Sequence, residues 1–132
     1  MPVQVELVSP ERILYSGEAD MVIARTVGGG DIAFLPGHAP FVGALEIATV
    51  TLRTSEGDQL VAVHGGFVEV SNDTVTILSD VAELGDDIDV GRAERAREVA
   101  QREHEDHDGE ASAALRRAHV RLAAAGAGPA GT

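Results

Sequence analysis

Four short stretches of this sequence carry the histidines, carboxylates and arginines that could do chemistry. His38 stands in Leu35-Pro36-Gly37-His38-Ala39-Pro40, and His64 and Glu69 follow in Val63-His64-Gly65-Gly66-Phe67-Val68-Glu69. Two histidines and a carboxylate could hold a divalent metal on a β-scaffold and activate water there. Such a cupin-like site needs an HxH pair on one strand, and the sequence has none. A lone histidine flanked by prolines reads instead as a loop residue whose ring bonds backbone. His104-Glu105-Asp106-His107-Asp108 has ligand-type side chains at helical spacing. It lacks the HExxH order and precedes a glycine, so it reads as a solvated hairpin corner. The fourth stretch, Ile88-Asp89-Val90-Gly91-Arg92-Ala93, sets an acid and an arginine three residues apart on a first helical turn. Both could face one spot, the acid accepting from ribose hydroxyls or an adenine amino group, the guanidinium meeting phosphate or stacking on the base. Spacing alone favours the plainer account, an Asp89 N-cap followed by a solvated Arg92.

What is missing narrows the chemistry further. The chain has no cysteine and no lysine, which excludes disulfides, thiolate catalysis, a Walker A loop and Schiff-base chemistry. Gly28-Gly29-Gly30 leads into a strand, so it reads as a turn needing positive φ rather than a phosphate cradle. No serine has a GxSxG setting. No catalytic constellation emerges, and the expectation is a protein that is not an enzyme and requires no cofactor.

The elements that must position these residues fall into two kinds. Residues 1–84 read as short strands at close spacing: Val3, Val5 and Leu7 alternate with Gln4 and Glu6, and Val75 and Ile77 with Thr74 and Thr76. Further runs lie at 12–15, 20–26, 31–35, 46–54, 59–64 and 67–71, with turn chemistry at Ser55-Glu56-Gly57-Asp58 and Asn72-Asp73. This pattern predicts an antiparallel β-sandwich or flattened barrel. After Leu84-Gly85 the period changes. Residues 85–125 read as a two-helix hairpin, with Asp86, Asp87 and Asp89 at its N-terminus and a stripe of Ala111, Leu115, Ala118, Leu122 and Ala125 on its second helix. An apolar face made mostly of alanine buries little area and should dock weakly. Residues 126–132 read as a flexible tail.

The net charge is −12, and residues 1–84 hold twelve acids against three arginines. So acidic a β-domain repels phosphate backbones, which argues against nucleic-acid binding. No apolar run approaches eighteen residues, so no direct membrane insertion is expected.

The sequence also resembles a known family. Gly30-Asp31 with Leu35–Pro40, Gly65-Gly66-Phe67-Val68-Glu69-Val70 and Val75–Asp80 are similar to the epsilon subunits of bacterial F-type ATP synthase. Ser9-Pro10-Glu11-Arg12 and Gly17-Glu18-Ala19 fit that family's opening; the likeness is close over residues 3–84 and looser over 85–125. The resemblance implies a non-catalytic central-stalk subunit that grips the gamma subunit, sits on the c-ring and couples proton-driven rotation to the catalytic head. It implies a peripheral membrane protein on the cytoplasmic face. It further implies a mobile hairpin that reaches the alpha/beta head when extended and brakes ATP hydrolysis. Ile88, Asp89, Arg92 and Ala93 match the family's nucleotide motif and are the implied contacts for regulatory ATP, joined by one or more of Arg116, Arg117 and Arg121. Two departures stand out: the family commonly has glycine at Ala33 and near Ala48, so turns there would be built with a Cβ present. The competing readings are a small metal-dependent β-sandwich enzyme using His38, His64 and Glu69, and a free-standing ATP-binding module.

Overall fold

A computed structural model describes residues 2–105 and 109–126, apart from the side chains of 103–112. The His104–Asp108 cluster therefore lies outside the described residues in whole or part, as does the tail beyond Gly126. Eight strands are formed: β1 (Val3–Val8), β2 (Ile13–Ala19), β3 (Met21–Thr26), β4 (Gly30–Phe34), β5 (Phe41–Thr54), β6 (Gly57–Ser71), β7 (Thr74–Leu78) and β8 (Ala82–Leu84). A short 3-10 turn at Gly85–Asp87 leads to α1 (Val90–Glu105) and α2 (Gly109–Ala124).

The strands hydrogen-bond in the order β2-β1-β7-β6-β5-β3-β4, with β8 also on β6. Val3, Val5 and Leu7 from one end of this order share a core with Val22, Ala24 and Phe34 from the other. The sheet is thus folded over on itself as a sandwich that does not close. Pairing is antiparallel except between β1 and β7, which run parallel with Gln4 beside Thr74 and Val8 beside Leu78.

The two layers are joined by the long β5–β6 ribbon. Its register runs from Phe41↔Val70 to Leu45↔Gly66, breaks, and resumes from Ile47↔His64 to Thr54↔Gly57. Glycine makes the break possible. Gly65 and Gly66 have φ of 88° and 120°, and a Cβ on Gly66 would collide with the Leu78 carbonyl oxygen. Buried Ser79 stands at the same bend, its hydroxyl 2.8 Å from the Gly65 carbonyl and 2.9 Å from that of Val81. What reads in sequence as two strands at 59–64 and 67–71 is therefore one bent strand of 15 residues. Ala33 and Ala48 lie inside β4 and β5, so the expectation that they make turns is corrected. The Asn72-Asp73 turn does take the left-handed backbone, φ 51° and 58°, and Gly28 and Gly30 take it at the β3–β4 turn.

The middle of β6 is buried on both faces. Val61 and Val63 enter the sandwich core, whereas Leu60 and Ala62 belong to a second cluster with Ile88, Ala93, Leu122 and Ala124. That second cluster is where the helices dock. α2 packs on β5 and β6, and α1 packs on α2.

Two glycines of positive φ, 78° at Gly28 and 120° at Gly66, should separate packing from conformation. Gly28→Ala faces open space and should cost about 1 kcal/mol from its positive φ alone. Gly66→Ala adds a backbone collision and should cost about 3 kcal/mol or more. Urea midpoints would measure both, and equal losses would show that the Leu78 contact does not matter.

Candidate functional site

The helical segment begins where β8 ends. Asp89 caps α1: its Oδ1 accepts from the Arg92 amide at 3.0 Å, and its carbonyl accepts from Ala93 at 3.0 Å. Asp86 and Asp87 belong to the preceding 3-10 turn, so only Asp89 of the three expected acids serves the helix directly. Ile88 and Ala93 are buried against Leu122 and Ala62. Arg92 is exposed.

These four residues line one cleft of about 350 Å³ together with Val81, Glu83, Asp87, Ala96 and Arg121. The structure brings the motif of residues 88–93 to the same space as a second-helix arginine, and that arginine is Arg121. Arg116 is exposed and Arg117 half-buried, and neither lines this cleft. The volume falls in the range of small-molecule sites. Carboxylates of Glu83, Asp87 and Asp89 face guanidiniums of Arg92 and Arg121, a mixture suited to a ligand with both hydroxyl or amino donors and an anionic end.

Glu83 is the residue that sequence reasoning missed. It sits on a three-residue strand too short to show a period, one residue from the helical boundary. Its Oε1 accepts from Arg121 Nε at 2.6 Å and lies 3.3 Å from His64 Nε2. Burial pushes the Glu83 carboxyl up, but the hydrogen bond and charge of Arg121, with help from His64, outweigh it and hold the carboxyl below its ordinary range. Its contribution to docking is therefore full above the ordinary carboxylate pKa and lost only on deeper acidification. The His64 side chain is 3% exposed. Burial, then the positive charge of Arg121, lowers its pKa, against the opposing pull of Glu83.

The structure does not assemble the metal-site alternative. His38 Nδ1 lies 2.6 Å from the Ala39 carbonyl, and its ring meets Phe34 edge-on with centroids 5.0 Å apart. His64 faces α2 and β8, and Glu69 is exposed further along β6. Among the described residues, no three histidines or carboxylates group as a metal site.

Comparison with known proteins identifies the family. Residues 2–85 match the model of the ATP synthase Delta/Epsilon chain β-sandwich domain. The chain belongs to that family. It is 50% identical over 121 residues to the ATP synthase epsilon chain of Streptomyces griseus, spanning 91% of this chain and 92% of the relative. Against the epsilon chain of Brevibacillus brevis it is 54% identical over 100 residues, 74% of each. The fold also resembles a chain in the structure of the Euglena gracilis mitochondrial ATP synthase containing OSCP, F1 and the c-ring. That match has a TM-score of 0.70 at 20% identity and covers 92% of this chain and 75% of the other. The family match spans the sandwich, and the alignment with the Streptomyces griseus relative continues into the helical segment.

The hinge beneath the cleft offers a selective test. A Cβ on Gly85 would strike the Ala124 carbonyl at the end of α2 and lie 3.2 Å from that of Leu60, although Gly85 has no positive φ. Gly85→Ala should therefore release α2 while leaving the sandwich folded. Trypsin should then cut after Arg116, Arg117 and Arg121 at least tenfold faster, with β-strand amides still protected from exchange. Unchanged cleavage would show that the close approach of Gly85 to α2 is dispensable.

Proposed function

We infer that this chain is the non-catalytic central-stalk subunit of a proton-translocating F-type ATP synthase, passing rotation of the c-ring through the gamma subunit to the catalytic head. The observation that carries this reading is kinship along almost the whole chain, 50% identity over 91% of its length with an ATP synthase epsilon chain. An uncovered apolar face supports it. Phe67 is paired across the sheet with Leu78, Val42 projects on the same side two residues from Phe67's other partner, Ala44, and they are 56%, 46% and 71% exposed. Such a patch on the layer remote from the helices suits a permanent protein neighbour, for which the gamma subunit is the family's candidate. No described helix is long and apolar enough to cross a membrane, which accords with a peripheral subunit on the cytoplasmic face.

The hairpin is the regulatory part. It lies folded on the sandwich through Leu122, Ala124 and Ala125, side chains that remove little area from water. A folded and an extended form, the latter reaching the alpha/beta head as a brake, then differ by a free energy small enough for a ligand to tip. ATP is that ligand in our reading, and it acts as a regulator rather than a cofactor. Arg92 and Arg121 would take phosphate and Asp89 a hydroxyl or amino donor, with Ile88 and Ala93 forming the apolar floor. A ligand seated in this cleft meets β8, α1 and α2 at once, an arrangement that only the folded hairpin presents. ATP therefore favours the folded hairpin.

Two measurements decide these points separately. Isothermal titration with ATP should give heat that Arg92→Ala reduces at least tenfold in affinity, with the hairpin still folded. No heat at millimolar ATP would end the sensor role and leave the stalk role standing. A stop after Leu84 should leave a sandwich that still assembles with gamma, and should raise ATP hydrolysis in the reconstituted enzyme. Unaltered hydrolysis and synthesis would remove the brake.

A further inference from the structure

His64 has no task in coupling or nucleotide binding, yet its side chain is almost wholly buried beside the Arg121–Glu83 contact that joins α2 to β8. It sits on β6 opposite Ile47 of β5, on the face that α2 covers. Its Nε2 is 3.3 Å from Glu83 Oε1 on β8, and Arg121 of α2 holds that same oxygen at 2.6 Å. Its Nδ1 is buried with no hydrogen-bond partner. With Nε2–H donating to Glu83, Nδ1 carries only a lone pair, a tolerable thing to bury. A second proton would change that, because an N–H at Nδ1 would be a buried donor without an acceptor.

We propose that His64 is a proton-operated latch: neutral, it lets α2 lie on the β5–β6 ribbon, and its protonation releases the helical hairpin. The charged groups around it set the direction. From β8, Glu83 favours the imidazolium, but its carboxylate is already shared with Arg121. From α2, Arg121 and Arg117 both oppose a new positive charge. Burial opposes it most, and the net effect holds the ring's pKa below its ordinary value. Once α2 lifts away, water reaches the ring and it titrates near its usual value of about 6.5. Only the released form then takes up a proton as the medium acidifies through that value. Docking is therefore complete above about pH 6.5 and is lost as pH falls from there toward the lower pKa of the covered ring. Between about pH 7.5 and 5.5 the ratio of docked to released hairpin should fall, by at most about tenfold. The loss of Glu83's charge lies at more acid pH and falls outside this window. The latch needs no nucleotide, so it stands apart from the ATP reading.

The test uses the full chain without nucleotide. Because the sequence has no cysteine, a fluorescent pair is readily placed at Glu56→Cys on the exposed β5–β6 turn and Glu98→Cys on exposed α1. Energy transfer should report that fall, and His64→Gln, which keeps a donor for Glu83 but cannot titrate, should abolish it in this window. A flat wild-type profile overturns the proposal. So does an unchanged slope in His64→Gln, which would assign the effect to another group. Imidazole resonances of the unsubstituted chain give an independent reading should that variant fold poorly. His64 should titrate below the ordinary imidazole value of about 6.5, with α2 amides shifting at the same midpoint. A His64 ring titrating at about 6.5 with α2 undisturbed overturns the latch equally.

Discussion

Two-sided burial of one short stretch, residues 60–64 of β6, is the constraint from which the rest of the structure follows. A strand with one wet face could end the story at a sandwich. Here Val61 and Val63 complete the core, and Leu60, Ala62 and His64 leave a second face that must be covered. Alanine at position 62 keeps that face shallow, so a helix of small residues can approach closely. Gly85 lets the end of α2 reach the sheet, and Arg121 reaches over the edge to Glu83. The helices are present because β6 needs them, and they are held loosely because the surface they cover is small.

The same loose contact is shared by two kinds of chemistry. Arg121 closes the polar side of the docking surface through Glu83 and also lines the cleft with Arg92 and Asp89. Any ligand drawing on Arg121 therefore alters the environment of His64 without touching it. Asp89 has a similar double position, since one carboxylate oxygen caps α1 and the residue also walls the cleft. The plain and the functional readings of that motif are compatible.

Much of this was legible in the sequence, for physical reasons that can be named. Alternation revealed β1 and β7 because each has one buried and one wetter face, and Asn72-Asp73 revealed its turn because few residues accept positive φ. The motif at 88–93 was visible as spacing. Legibility failed where partners are distant in the chain. Gly65-Gly66 reads locally as a break, and only the Leu78 carbonyl beside it shows that a continuous strand must bend there. The parallel pairing of β1 with β7 leaves no local trace. Glu83 lies on a strand of three residues, and its importance comes from an arginine 38 positions away. His64 looked like half of a failed metal site, because nothing in its neighbours announces the helix that covers it.

The parallel seam between β1 and β7 also dictates an order of events. Residue 4 cannot find residue 74 until nearly the whole sandwich has left the ribosome, so the first strands emerge with a partner still unmade. Contacts this far apart in sequence slow closure and leave an edge open to wrong pairings during synthesis. The helices come last, after the seam has had its chance to close. They pack on β5 and β6, and the seam that closes the sandwich is made by strands alone.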